Sequence, residues 1–311
     1  MKMRKEDKIF LTGHTGLLGK AIQKELLNQN YENVITVSSK DLDLLNQKKV
    51  YEFFKEFKPK YVIHAAAKAG GILANKEFPA DFLFNNLVMQ SNVFRASLEA
   101  KVKKLIFISS TCVYPKNVSQ PMKESDILSS GFTKEVEPYS LAKVTGMKML
   151  KAFYDQYGFL SNSVLLPNLY GPGDHYGDLS NHVIPALVER FVKAEMNNSS
   201  SVEVWGSGDA IREFLHIDDA ARGIIFILKK YKIVDPINLS SKSHISIKEL
   251  ALKIKFISGF NGDIIFNVSK PEGAPIKISD DKSISSLGWK PKIDFEEGLL
   301  RTIEDYKNSH F

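Results

Sequence analysis

Tyr139-Ser140-Leu141-Ala142-Lys143 sets a phenol and an amine four residues apart, on one face of the chain wherever that segment is helical. An ammonium beside a phenol favours the phenolate and draws the tyrosine pKa down from about 10 toward the working pH, which makes the group a usable proton donor. The spacing recurs by chance in many helices, so its weight comes from what precedes it. An apolar run, KLIFISS (104–110), leads into Thr111, and a hydroxyl at the end of such a strand can bind the substrate oxygen that the tyrosine protonates. Two residues beyond Ser110 stands Cys112, the single cysteine of the chain. Residues two apart on a strand share a face, so Ser110 and Cys112 are expected to point the same way. A lone cysteine after a buried strand is otherwise an ordinary small core residue.

A second motif lies near the start, in Gly13-His14-Thr15-Gly16-Leu17-Leu18-Gly19. It follows the apolar run KIFLTG (8–13) and opens a segment with helical spacing of apolar residues, so it reads as strand, turn, helix. Gly13 permits the tight turn, Gly16 lets backbone approach a pyrophosphate, Gly19 lets helix and strand pack closely, and the helix start offers amides to phosphate. The next strand ends Val37-Ser38-Ser39-Lys40 without an acid. An acid there would bind a ribose 2′-hydroxyl and repel a 2′-phosphate, so NADP is permitted and Lys40 can help hold it. Asp43 lies farther on, where an adenine contact fits better.

Elements that must carry these residues can be read from the apolar patterning. Strands are expected at NVITVSS (33–39), YVIHAAA (61–67), KLIFISS and SNSVLLPNLYG (161–171). Helices are expected at VYEFFKEFKP (50–59), LVMQSNVFRASLEA (87–100) and after EPYS (137–140). Strands alternating with helices imply an α/β fold, a doubly wound parallel sheet covered on both faces. Beyond residue 172 the alternation gives way to turn-rich segments, which suggests a smaller C-terminal lobe. REFLHIDDAARGIIFILKK (212–230) is expected to return a strand and helix to the first domain. The expected division is therefore 1–172 plus about 212–240 for the dinucleotide-binding domain, and the remainder of 173–311 for the substrate domain.

Of the 311 residues, 43% are hydrophobic and 25% charged, the composition of an ordinary globular protein. Net charge is +6, but the lysines are scattered and often neighbour acids, so a solvated surface is expected rather than a nucleic-acid partner. One cysteine cannot form an internal disulfide, and MKMRKEDKIFLTG has no long apolar core of a signal peptide. No run approaches the roughly 20 apolar residues of a membrane span. A cytoplasmic enzyme with no membrane partner and no metal is expected.

The glycine turn and the Ser/Tyr/Lys set form a carbonyl/hydride constellation of short-chain dehydrogenase type. The chain resembles the extended members of that superfamily acting on nucleotide sugars, and within them the GDP-L-fucose synthase family of GDP-4-keto-6-deoxymannose epimerase/reductases. The matches span nearly the whole chain: AAAKAGGILANKEFPADF (65–82), SSTCVYPK (109–116), QPMKESD (120–126), EPYSLAK (137–143), LPNLYGP (166–172), SNHVIPALVERF (180–191) and WGSGDAIREFLHIDD (205–219). The resemblance implies a Rossmann-type domain, a smaller nucleotide-sugar-binding α/β domain, NADPH as favoured cofactor, a GDP-linked 4-keto sugar as substrate, and a homodimer.

Carried over by position, Ser110, Tyr139 and Lys143 match the family's reductive triad, which binds and protonates the C4 carbonyl oxygen while nicotinamide delivers hydride. Cys112 and His182 match the pair that moves protons at C3 and C5, carbons that a C4 ketone acidifies. The resemblance places the cofactor on Gly13, Thr15, Gly16, Leu17, Leu18, Gly19, Ser39, Lys40, Asp43, Leu44, Ala65, Ala66, Ala67, Tyr139, Lys143, Pro167, Asn168, Leu169 and His182. It places the GDP-sugar on Asn168, Arg190, Trp205, Arg212 and Lys277, the two arginines being suited to bidentate phosphate contacts. The family often has arginine at the position of Thr15, a basic residue near Ser39, and arginine at Ile276. Three other readings compete: a reductase acting only at C4 of a GDP-4-keto-heptose or dideoxyhexose, a UDP-sugar 4-epimerase with bound NAD, and a catalytically dead cofactor-sensing or nucleic-acid-binding protein.

Overall fold

In the computed structural model, residues 3–177, 182–270 and 273–311 are described. The chain runs through β1 (Ile9–Thr12), α1 (Leu17–Asn28), β2 (Val34–Ile35), α2 (Gln47–Phe57), β3 (Tyr61–His64), α3 (Ile72–Glu77), α4 (Pro79–Glu99), β4 (Lys104–Ser110), α5 (Glu137–Tyr157) and β5 (Ser161–Leu166). It continues through β6 (Asn168–Tyr170), α6 (Val183–Met196), β7 (Ser201–Trp205), β8 (Ile211–His216), α7 (Ile217–Lys230), β9 (Ile237–Asn238), β10 (His244–Ser246), α8 (Ile247–Ser258), β11 (Asp263–Asn267), β12 (Ile276–Lys277), α9 (Lys282–Ser286) and α10 (Phe295–His310).

Six strands form a parallel sheet in the order β2-β1-β3-β4-β5-β9. Both faces are covered, which is why its strands read as unbroken apolar runs. Ile9, Leu11, Ile63 and Ile106 pack toward α1 and α7, whereas Phe10, Val62, Leu105 and Phe107 pack toward α2, α4 and α5. The order reverses between β1 and β3, and in such sheets ligands bind outside the carboxyl ends of the strands at that reversal. Buried Lys104, at the start of β4, donates to the carbonyls of Ile227 (2.8 Å), Leu228 (3.1 Å) and Tyr231, so it caps the last turn of α7.

The second lobe is built on β8, which pairs with β6, β10 and β12, with α6, α8 and α10 enclosing its own core. Side chains alternate across a strand. Phe214 of β8 therefore enters the second-lobe core while Leu215 enters the first.

Several sequence expectations change here. The segment 161–171 is two strands rather than one: Pro167 has no N–H to give a ladder, and the chain passes there from the main sheet into the second. Strand 211–216 lies in the second sheet, while the helix after it packs on α1 and the main sheet. The strand expected over 33–39 pairs only at Val34 and Ile35. The helix expected from 87 starts at Pro79, whose fixed φ suits a first turn, and α3 precedes it. Asp178 and Leu179 of the loop 171–179, Ser180 and Asn181 of the SNHVIPALVERF match, and Glu272 lie outside the described residues. Among the described residues no helix is long and apolar enough to cross a membrane.

Candidate active site

The turn after β1 is shaped by what a side chain would strike. Gly13 has φ +72°, and a Cβ on it would lie 2.7 Å from Ala66 N and 2.8 Å from Ala65 C. One on Gly19 would lie 2.0 Å from Gly13 O. A Cβ on Gly16 would meet only Gly13 O, at 3.6 Å, so the space in front of Gly16 is open. Helix α1 starts there with no side-chain cap and no acid in its first turn, leaving its first amides and positive dipole end to a bound anion. Thr12 Oγ1 accepts from Ala66 N (3.1 Å) and pairs with His64 Nδ1 (2.9 Å), which fixes Ala65–Ala67 beside the turn. Burial and the nearby Lys143 charge hold the His64 pKa down to about 3, so its ring is neutral. Thr15, Ser39, Lys40 and Asp43 are exposed, Leu17, Leu18 and Leu44 half-buried. Asp43 Oδ1 accepts from Leu45 N, and Leu44 O accepts from Asn92 Nδ2.

Two strands along the sheet, β4 ends at Ser110 and a 3-10 turn over Thr111–Val113 follows. Ser110 Oγ caps that turn by accepting from Cys112 N (3.3 Å). Cys112 therefore stands on a turn rather than on the strand, and the strand-parity argument for its direction does not apply. Helix α5 is pinned against this edge at two points. Ser140 Oγ donates to Cys112 O (2.7 Å), and Lys143 Nζ donates to Ile108 O (2.9 Å). Gln90 Nε2 donates to Ala142 O (2.8 Å), and α4 and α5 approach so closely that a Cβ on Gly146 would lie 2.9 Å from Gln90 and Phe107. Tyr139 meets the edge of Phe82 at 6.3 Å between ring centroids.

The expected lowering of the Tyr139 pKa is not what this environment produces. Burial, and then the neighbouring Cys112, push the phenol well above its ordinary value. Burial draws the Lys143 amine down to about 7. Its Nζ is held by the Ile108 carbonyl and lies 4.6 Å from the Phe107 centroid and 5.6 Å from that of Tyr139. Tyr139 is thus a neutral proton donor.

The remaining residues fall into separate groups in the second lobe. Pro167 is buried and Leu169 half-buried, and Asn168 Nδ2 donates to Glu213 O (3.1 Å). Arg212 and Lys277 are register partners on β8 and β12, and Arg212 Nη1 donates to Ile211 O (2.9 Å). The Arg190 guanidinium lies 5.3 Å from the Trp205 centroid and donates to Glu203 O (3.1 Å). His182 is the exposed N-cap residue of α6, its side chain making no cap bond. Although solvent reaches it, packing around the ring disfavours the charged form and lowers its pKa.

Sequence reasoning missed Ser140 and Lys270. Lys270 Nζ lies 5.6 Å from the Trp205 centroid, a contact that depends on β11 pairing in parallel with β7. Ser140 had one available signal, its place inside EPYSLAK.

The model of the NAD dependent epimerase/dehydratase family matches residues 9–239. The chain belongs to that family. It is 43% identical over 97% of its length, and 92% of the relative's, to the probable GDP-L-fucose synthase 1 of Oryza sativa subsp. japonica. It is 37% identical to the GDP-L-fucose synthase of Escherichia coli (strain K12), with 96% of each chain covered. Among solved structures it is similar to the GDP-mannoheptose C4 reductase from Campylobacter jejuni with NADP bound, at 35% identity and TM-score 0.91, covering 98% of this chain and 100% of that one.

The residues present fit the dinucleotide that an epimerase/dehydratase family member requires. The open face of Gly16, the uncapped start of α1 and the Ala65–Ala67 backbone form a continuous cradle at the β1/β3 reversal. Ser110 and Cys112 stand at the end of β4, the strand next to that reversal, and Tyr139 and Lys143 on the helix pinned against it.

Proposed function

We propose that the protein reduces the C4 ketone of a GDP-linked 4-keto-6-deoxy sugar with NADPH, after epimerisation at C3 and C5, as in GDP-L-fucose formation. The observation that carries this reading is the joint placement of Ser110, Cys112, Tyr139 and Lys143 on one edge, held by the Ser140–Cys112 and Lys143–Ile108 bonds. The names of its relatives support the substrate class. NADPH, when bound, supplies the hydride. Ser110 holds the C4 oxygen, and Tyr139 donates its proton there as negative charge develops. Lys143 in its charged form stabilises the phenolate left behind. The Cys112 thiolate removes the proton from C3 or C5, acidified by the ketone, and His182, which holds its proton less tightly than in water, returns one on the other face.

Gly13, Gly16, Gly19 and Ala65–Ala67 hold the dinucleotide, with Leu17, Leu18, Leu44, Pro167 and Leu169 lining it and Lys40 near its 2′-phosphate. Asn168, Arg190, Trp205, Arg212 and Lys277 hold the GDP-sugar, so the division into a dinucleotide-binding and a substrate lobe follows. The exposed Phe84 of α4 and Leu141, Tyr154 and Tyr157 of α5 suit a contact with a second copy in a homodimer, and the lone thiol suits the cytoplasm.

A second reading, C4 reduction without epimerisation, is favoured by the likeness to the C. jejuni reductase. Incubation of GDP-4-keto-6-deoxymannose and its heptose counterpart, each with NADPH and with NADH, followed by NMR of the products, decides between them. Deuterium from solvent at C3 and C5 is the expected result. Its absence removes epimerisation, and absence of turnover with every pair removes the proposed function.

A further inference from the structure

We propose that Glu213 is the positioning residue that holds the nucleotide-sugar-binding cations in register. It rests on the reading above, in which Arg212 and Lys277 hold the GDP moiety. Glu213 is 2% exposed, and among the described residues no cation pairs with it. Burying an uncompensated carboxylate is expensive, so its hydrogen bonds must carry the compensation. Oε1 accepts from Ser240 Oγ (2.7 Å), Ser241 N (2.6 Å) and Ser241 Oγ (3.3 Å). Oε2 accepts from Ser279 N (2.8 Å), and the Glu213 carbonyl accepts from Asn168 Nδ2 (3.1 Å).

These five bonds reach three segments, around Asn168, Ser240–Ser241 and Ser279; two of the three carry a proposed substrate residue, and Glu213's own strand carries a third. Asn168 is itself one. Arg212 is the chain neighbour of Glu213, its side chain on the opposite face of β8. Lys277 precedes Ser279 by two residues and sits beside Arg212 in the β8–β12 register. Strand β12 has only two residues, and two ladder pairings fix a register weakly. The backbone bonds Ile211 N to Pro275 O and Met122 N to Ile278 O, and Ile278 N to Gln120 Oε1, also hold this segment. The Glu213–Ser279 bond ties it to β8 from beyond its end, so the spacing of the Arg212 and Lys277 charges is tuned by a carboxylate that faces away from the ligand. Glutamine at this site keeps the volume and one acceptor, but each carboxylate oxygen accepts from a backbone N–H, so either orientation of the amide sets donor against donor, at Ser279 or at Ser241.

The test uses GDP itself, added to the NADP-loaded protein, with affinity read by calorimetry. Glu213→Gln should weaken GDP about tenfold while the affinity for NADP stays within about twofold. In a Lys277→Ala background the same substitution should weaken GDP less than about threefold, because contacts that act through one another are not additive. Equal effects in both backgrounds, an unchanged GDP affinity, or a parallel loss of NADP affinity overturns the inference. If Lys277→Ala and Arg212→Ala alone leave GDP affinity unchanged, the substrate reading falls and this inference with it; if they weaken it while Glu213→Gln does not, only this inference falls. The unmutated protein offers a check free of folding effects: exchange of the Ser279 amide should be slowed at least tenfold before GDP is added, and an unprotected amide overturns the proposal.

Discussion

Gly16 and Gly19 stand three residues apart in one turn, yet substitution by alanine should separate cofactor binding from folding. At Gly16 the backbone is extended, with φ −78° and ψ 168°, a conformation alanine adopts freely, and the new methyl meets nothing nearer than 3.6 Å. Gly16→Ala should leave the fold intact or raise stability by about 0.4–1 kcal/mol through the unfolded chain. The same methyl occupies the space assigned to the pyrophosphate. Loss of one charge-assisted hydrogen bond, about 1.5–3 kcal/mol, corresponds to a roughly 10- to 150-fold weaker NADPH affinity. At Gly19 the methyl would lie 2.0 Å from Gly13 O, where ordinary contact starts at 3.4 Å; the difference, 3.4 − 2.0 = 1.4 Å, must be taken up by α1 moving off the turn. Gly19→Ala should therefore destabilise by about 1–3 kcal/mol as overpacking does, and weaken NADPH as well. Thermal unfolding with and without NADPH, beside fluorescence titration of NADPH, reads both quantities. A Gly16→Ala protein that binds NADPH as tightly as the parent refutes the placement of the pyrophosphate.

Tyr139→Phe should slow hydride transfer by about 100- to 10,000-fold, the range for a lost general acid, while deuterium exchange at C3 and C5 continues; loss of both would point to damaged binding. Cys112→Ser should do the opposite, and exchange that persists would exclude Cys112 as the base. Lys143, drawn down to about 7, is charged below that pH and neutral above it, so single-turnover reduction should fall as pH rises through about 7. Lys143→Met should be slower throughout and lose that step, and a parent rate that climbs with pH would contradict the role given to the ammonium.

The glycine turn and the strands that carry Ser110 and Ala65–Ala67 were legible because their signals are local: close approach demands glycine, and a strand covered on both faces reads as an apolar run. The sheet to which 211–216 belongs was not legible. Phe214 and Leu215 are both buried, and apolar character does not say in which core. The break at Pro167 was written in the sequence, but a proline inside an apolar run does not reveal that the chain changes sheets there. The Tyr139 pKa was misjudged because spacing places Lys143 on the same helix face but does not show how deeply the phenol is buried, or that Cys112 lies beside it. Glu213 gave no sign of its four donors, which come from segments 27 to 66 residues away.

The first core holds a consequence for synthesis on the ribosome. It is closed not only by α7 but also by Ile284 and Trp289, which follow almost all of the second lobe in the chain. The first 170 residues thus emerge with the core on the α2, α4 and α5 side complete, but with the other face of the sheet covered by α1 alone, and the sixth strand does not yet exist. The core between the sheet and α7 and the core of the second lobe both reach completion only near the end of the chain. A nascent chain arrested short of α7 should present that half-covered face to chaperones and proteases.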